Sequence, residues 1–290
     1  LKSAVFPLYF WLPKAYAAAT APVAALFAIM TKVGLYSILR VYTLIFGAEA
    51  GELANLASAW IWPVALVTIA LGAIGALAAA SLNGLISYLI VVSVGTLLAG
   101  IAMGTQEALT ASLYYLIHST WVSAALFLLA GIISRLRGPR FGSRLIPGPQ
   151  MGHTKLVSAL FFIAAISVIG MPPLSGFLGK AMLLVAAGTG MQAALLYPAL
   201  LVGSLVVLIA MSRAGTTLFW RYDAAPAVAE PLDRFRLAAA LLLLAGSPGL
   251  VLFANPILAY LDATAAQLLA PAAYIEQVMS VVPVASGGQP

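Results

Sequence analysis

Three lysines stand where lysine is costly. Lys2, Lys32 and Lys180 each lie inside or at the edge of a long apolar stretch. A charged side chain near the centre of a bilayer costs about 2.5–3.5 kcal/mol on insertion scales, so such a residue is read first as functional. Desolvation disfavours the charged form of a buried amine, and this is how a lysine comes to exchange protons near neutral pH. His118, in the run Tyr114-Tyr115-Leu116-Ile117-His118-Ser119-Thr120, adds an imidazole, the side chain best suited to pass a proton on at neutral pH. Proton movement is the chemistry these four residues share. Each also has a plainer reading. Lys2 could snorkel to a surface, and His118 alone could be an interhelical hydrogen-bonding residue. Lys32 follows the apolar run from Ala24 and precedes another, so it reaches neither surface easily, and Lys180 sits just before the apolar Ala181–Ala187. A lysine that stayed charged would act as an electrostatic gate instead.

The elements that position these groups are membrane helices. Hydrophobic residues make up 63% of the chain and charged ones 8%, with a mean hydropathy of +1.07, whereas an ordinary soluble domain carries about 25% charged residues. Apolar segments fall at about 1–12, 22–46, 60–81, 85–104, 108–133, 156–188, 193–218 and 235–255, several of them reaching the roughly 20 residues that a helix needs to cross a bilayer. Alternation of the strand type is absent, which sets a barrel aside. The expectation is an all-α, polytopic helical bundle: a transmembrane domain over 1–255, with a half span and seven full ones, and an extracytoplasmic tail over 256–290. The chain opens on Leu1-Lys2-Ser3 without a signal-peptide pattern and reads as a fragment that starts partway through a helix.

Two segments should be interrupted. The first runs Leu1-Lys2-Ser3-Ala4-Val5-Phe6-Pro7, then Trp11-Leu12-Pro13; the second is Gly170-Met171-Pro172-Pro173-Leu174-Ser175-Gly176-Phe177-Leu178-Gly179-Lys180. Proline removes a donor and clashes with the preceding turn, so each helix is expected to break there. Irregular backbone at membrane depth survives only where protein buries it or it lines a wet cavity. Pro172, Pro173 and Gly176 are therefore the supporting break beside Lys180.

Charge is unevenly shared between the ends of the spans. Lys14, Arg135, Arg137, Arg140, Arg144, Lys155, Arg213, Arg221, Arg234 and Arg236 fall on one side if the spans alternate, and Glu49, Glu52, Glu107, Asp262 and Glu276 on the other. The basic side is expected to face the cytoplasm, with Arg40 as the exception near the opposite end of its helix. A net charge of +6 is thus topology and no sign of nucleic-acid binding. All eight carboxylates map to loops or tails, so an intramembrane sodium site would have only hydroxyls and carbonyls to draw on. Two histidines and no cysteine give no metal centre, no cofactor site and no nucleophile–base pair. Gly188-Thr189-Gly190-Met191-Gln192-Ala193 resembles a relaxed dinucleotide fingerprint, but no strand precedes it and it reads as a turn.

Lys2 through Pro13, Thr31-Lys32-Val33-Gly34-Leu35-Tyr36 with Arg40, HSTWVSAALFLLAGII at 118–133 and GMPPLSGFLGK at 170–180 together resemble the proton-antiporter-like subunits shared by respiratory complex I and multisubunit Mrp-type cation/proton antiporters. Within that family the tail LAYLDATAAQLLAPAAYIEQV at 258–278 is most similar to the D-type subunit. The resemblance implies a fold of about fourteen helices with two inverted five-helix repeats, of which this chain would hold the C-terminal half. It implies a proton path through Lys2, Lys32, His118 and Lys180 in a bacterial inner membrane, with sodium as the exchanged ion and other antiporter subunits as partners. It also implies a glutamate partner for Lys2 that this sequence does not contain. Many relatives carry a second basic residue shortly after the histidine, where Ser123 stands. Lys180 argues against the complex I subunit with glutamate at that position. The alternatives are a proton-pumping subunit of a complex I-type enzyme and a membrane scaffold without transport.

Overall fold

The computed structural model describes residues 1–47, 50–54, 56, 58–223 and 231–280. Helices account for nearly all of its regular structure: α1 Trp11–Ala18, α2 Ala21–Leu44, α3 Ser58–Ala78, α4 Leu82–Met103, α5 Gln106–Leu136, α6 Gly138–Phe141, α7 Thr154–Ile169, α8 Ser175–Ala186, α9 Met191–Phe219, α10 Arg234–Leu252, α11 Ala254–Leu269 and α12 Ala272–Met279. Among the described residues, α2, α3, α4, α5, α9 and α10 are long and apolar enough to cross a membrane. The shorter apolar helices α7 and α8 follow one another through the break at 170–174. The all-α reading is borne out; six helices of spanning length are present among the described residues, and the expected segment 156–188 holds the two shorter helices α7 and α8.

Two helices form the centre. α4 is buried over almost every residue, and α5 packs against α2, α4, α7, α8, α10 and α11. Lipid tails are as apolar as leucine, so helices associate in a bilayer through close packing and interhelical hydrogen bonds. The α3–α4 pair shows the first. An added Cβ at Gly72 would lie 2.7 Å from the Val92 nitrogen, and one at Gly95 would lie 2.7 Å from the Ile69 nitrogen. Each helix thus gives up a side chain where the other's backbone passes. The outer helices α3, α9 and α10 present Ile74, Leu201, Leu205 and Leu242 outward, as a lipid-facing surface requires.

The basic end of the bundle is tied together by the segment after α5. Leu82 N donates to Ser143 O and Leu145 N to Ala80 O, while Asp223 N donates to Gly148 O. Arg137 is 1% exposed, and its guanidinium donates to the carbonyls of Gly142, Arg144 and Ile146. One buried arginine therefore satisfies a run of loop carbonyls that no helix or strand serves. Asp233 caps α10 by accepting from Phe235 N and Arg236 N, and it pairs with Arg236 at 3.1 Å.

Both ends of the chain differ from expectation. The first apolar segment is not a half span of helix: Leu1–Phe10 runs through turns and α1 begins only at Trp11. Pro13 does not interrupt a helix but lies in the first turn of one, where the missing N–H would be unpaired anyway. At the other end, much of the expected tail is helical. Leu261, Ala265 and Leu268 recur at helical spacing and bury α11 against the bundle, where it contacts α5 and α2. Arg40, the outlying basic residue, has its guanidinium carbon 4.7 Å from the centre of the Tyr274 ring in α12. Residues 281–290 lie outside the described residues, as do Glu49 and Glu230.

Candidate proton path

Lys32 sits at the middle of α2, 1% exposed, with Nζ donating to the Ser93 hydroxyl of α4 at 3.0 Å. Ser93 in turn donates to Ile90 O at 2.7 Å. An ammonium has three donors, and a single hydroxyl is the only hydrogen-bond partner found for this one among the described residues. Close by on α2, Gly34 lies against the backbone of Ser3, so the N-terminal turns rest on the lysine helix.

Lys180 lies on α8 and is 7% exposed. Its Nζ donates to Ile169 O at 2.8 Å and to the Ser204 hydroxyl of α9 at 2.8 Å. The Ile169 carbonyl is available because α7 ends there and leaves its last carbonyls without helical partners. Gly170 makes this ending possible. Its φ of +85° is a left-handed conformation that favours glycine, and an added Cβ would meet Lys180 Cδ at 2.8 Å. The break thus does two things for Lys180: it exposes a carbonyl acceptor and it clears room for the lysine stem. Pro172 and Pro173 keep the chain out of helix until Ser175 restarts it.

His118 is at the thirteenth position of α5 and 1% exposed, which puts it about 18 Å from the start of that helix. Its Nδ1 lies 2.7 Å from the Ser175 hydroxyl, at the first residue of α8. The Tyr115 ring is 5.5 Å away, centre to centre. Gly176 is the reason these groups meet: an added Cβ would stand 2.0 Å from Ser167 O and 2.9 Å from His118 Nε2. From Ser175 the hydrogen bonds continue to Ser247 of α10 at 2.8 Å and from there to Ser167 of α7 at 2.7 Å.

Lys32, His118 and Lys180 are therefore all buried in one bundle, on α2, α5 and α8, and both lysines lie within electrostatic reach of His118. Lys2 is not part of this buried set; its side chain is exposed. Among the described residues no carboxylate forms an ion pair with any of the four. Glu107 and Asp262 are on helices rather than in loops or a tail, but at the opposite end from the arginine-rich loops, where they line a cavity of about 600 Å³ with Thr105, Thr110 and Met182. No group of three or more metal-ligating side chains occurs among the described residues.

Sequence reading missed the hydroxyls. Ser93, Ser204, Ser167, Ser175 and Ser247 provide the hydrogen bonds of the buried basic residues or link to them. A serine in an apolar helix ordinarily returns its proton to its own preceding turn, so its type carries no signal of a partner on another helix. Only Ser175, beside the double proline, stood in a segment already marked.

The family model described as NADH:quinone oxidoreductase/Mrp antiporter, TM, matches residues 1–212. The chain belongs to that family. Among its relatives, the probable D-type subunit of a K(+)/H(+) antiporter from Rhizobium meliloti is 36% identical over 312 residues, covering 97% of this chain and 57% of that protein. The D-type subunit of the Na(+)/H(+) antiporter from Bacillus subtilis is 36% identical over 285 residues, covering 96% of this chain and 56% of that protein. In the structure of the Mrp complex from Dietzia sp. DQ12-45-1b, one chain superposes with a TM-score of 0.80 at 27% identity, over 96% of this chain and 59% of that one. The chain spans a little over half the length of the curated relatives it matches. The family resemblance read from the motifs is borne out, and with it the reading of a multi-pass membrane protein.

Proposed function

We propose that this chain is the proton-conducting C-terminal half of a D-type subunit in a multisubunit sodium/proton antiporter of a bacterial inner membrane, and that Lys32, His118 and Lys180 carry its protons. The observation behind this reading is that two lysines are buried on hydroxyl and carbonyl oxygens, with no counter-carboxylate among the described residues, on helices flanking a buried histidine. A lysine held this way can bind and release a proton, while its neighbours keep hydrogen-bonding capacity in either state. Lys2 would join the path once its own partner, carried by sequence outside this chain, is in place. The antiporter names of the two relatives support an antiporter over a redox-driven pump, though one names potassium and the other sodium. Sodium remains our assignment. Transport, rather than an enzymatic reaction, is the activity proposed.

The basic loops 134–155 and 219–234 would face the cytoplasm, and the end bearing Glu107 and Asp262 would face outward. Partner subunits are part of the proposal, because the carboxylate that the described span helices carry, Glu107, lies in the first turn of α5 at the end of the bundle, and none lies deeper where it could bind a cation. Everted vesicles test it directly. The full-length subunit with its partners should collapse a preset pH gradient on addition of sodium, and the full-length subunit alone should not. Strong sodium-driven proton release from the single subunit would overturn the need for partners, and none from the complete complex would overturn the antiport assignment.

A further inference from the structure

The hydrogen-bonded row His118–Ser175–Ser247–Ser167 joins four helices and ends on no ionised group. His118 Nδ1 lies 2.7 Å from Ser175 Oγ, Ser175 Oγ lies 2.8 Å from Ser247 Oγ, and Ser247 Oγ lies 2.7 Å from Ser167 Oγ. Ser175 N also donates to Ser247 Oγ at 3.3 Å. This last contact has a structural basis: Ser175 opens α8, its N–H is one of the orphan donors of a helix start, and Leu174 before it offers no side-chain cap. Ser247, from α10, supplies that cap from another helix. Ser167, Ser175 and Ser247 are each 1% exposed or less, so water does not substitute freely for any of them.

A hydroxyl has one proton and two lone pairs, which allows the row to run in either direction. When Nδ1 carries a proton it donates to Ser175, Ser175 donates to Ser247, and Ser247 donates to Ser167. Ser167 can then turn its own proton to the preceding turn of α7, as helical serines do. Ser247 meanwhile accepts from both the Ser175 hydroxyl and the Ser175 N–H, filling its two lone pairs. When Nδ1 is bare, every hydroxyl reverses. Ser167 donates to Ser247, Ser247 to Ser175, and Ser175 to Nδ1, with the Ser175 N–H still accepted by Ser247. Both arrangements leave no hydroxyl of the row without an acceptor. A carboxylate or carbonyl in place of Ser175 would hold Nδ1 as a donor, and a backbone N–H would hold it as an acceptor.

We propose that Ser247 is a positioning residue, which through Ser175 lets His118 Nδ1 hold a proton or go without one while every hydroxyl of the row still donates. The inference deepens the proton-path reading and rests on it for its purpose, though not for its geometry. Without the Ser247 hydroxyl, Ser175 can still donate to a bare Nδ1 but loses its acceptor when Nδ1 is protonated. Relative to the wild type the Nδ1–H state loses one more buried hydrogen bond than the bare state, enough for about a tenfold shift.

The test is nitrogen-15 NMR of the assembled complex, histidine-labelled and reconstituted in lipid, above the pH at which imidazole titrates. The His118 signal is assigned by its loss in His118→Gln. In the wild type both neutral tautomers should be populated. In Ser247→Ala the Nε2–H form should gain about tenfold over the Nδ1–H form, and Ser247→Thr, which keeps a hydroxyl, should restore the wild-type ratio. Ser247→Cys, close to serine in size and weaker as a partner, gives the same comparison if the alanine variant does not assemble. An unchanged ratio in an assembled Ser247→Ala or Ser247→Cys complex overturns the proposal whatever the transport rate. A shifted ratio beside undiminished antiport upholds the row and counts instead against His118 as a proton carrier.

Discussion

Replacing Gly176 by alanine should separate the end of α7 from the start of α8. The new methyl would stand 2.0 Å from Ser167 O, a backbone atom that cannot swing aside, and 2.9 Å from His118 Nε2. Real contacts of this kind essentially never fall below 3.0 Å, so the two helices must part by about 1 Å. Overpacking of this size costs about 1–3 kcal/mol. The same movement stretches the Ser167–Ser247 and His118–Ser175 contacts, both 2.7 Å, past hydrogen-bonding range, at about 1 kcal/mol each. A total of roughly 3–5 kcal/mol should lower the apparent melting temperature of the purified complex by about 6 °C or more. Sodium-driven proton release in everted vesicles should fall at least tenfold, because the shift acts on the partner of His118. Gly249→Ala is the control: nothing lies within 4 Å of its added methyl, and alanine favours the helix it sits in. Wild-type melting and transport in Gly176→Ala would show that α7 and α8 do not meet as described.

Other consequences are open to simple assays. Gln150→Cys, an exposed position in a cysteine-free sequence, should be labelled by an impermeant thiol reagent in everted vesicles and not in intact cells; labelling from outside would invert the topology. Arg137→Met keeps much of the buried bulk but leaves the carbonyls of Gly142, Arg144 and Ile146 without their donor. It should destabilise the complex by about 3 kcal/mol, read as a lower melting temperature, while unaltered melting would show that the loop is held by something else. Lys32→Ala should abolish proton release while the complex still assembles, since no carboxylate among the described residues is left unpaired by its removal; assembled complex with full activity would take Lys32 out of the path.

What could be read in the sequence, and what could not, follows from the range of each interaction. Hydropathy located the spans because crossing a bilayer is a local demand on about 20 residues. The break beside Lys180 was legible because proline and glycine act on their own backbone. The same local rule misled at Pro13, where proline starts α1 instead of interrupting a helix, since position within the first turn decides which of the two it does. The residues after 255 looked like a tail because their composition is mixed. Their apolar positions Leu261, Ala265 and Leu268 recur only at helical spacing, and α5 is there to receive them. Least legible was the polar interior of the site. Ser93 lies 61 residues from Lys32 and Ser175 lies 57 residues from His118, and nothing in a serine's own neighbourhood announces a partner on another helix.

On the proposed path, buried amines of this chain pick up and release protons during turnover. Lys180→Arg tests this most directly, since arginine keeps a positive charge at the same place, and a pKa above 12 prevents it from giving up its proton. Arginine can still donate to Ile169 O and Ser204 Oγ, the two partners of Lys180, so the electrostatic role is preserved and only proton exchange is removed. The measurement is sodium-dependent proton flux in everted vesicles across the working pH range, normalised to assembled complex. Lys180→Arg is expected to assemble and to remain near background at every pH. Flux at the wild-type rate throughout would contradict proton exchange at this residue and leave Lys180 as a fixed charge.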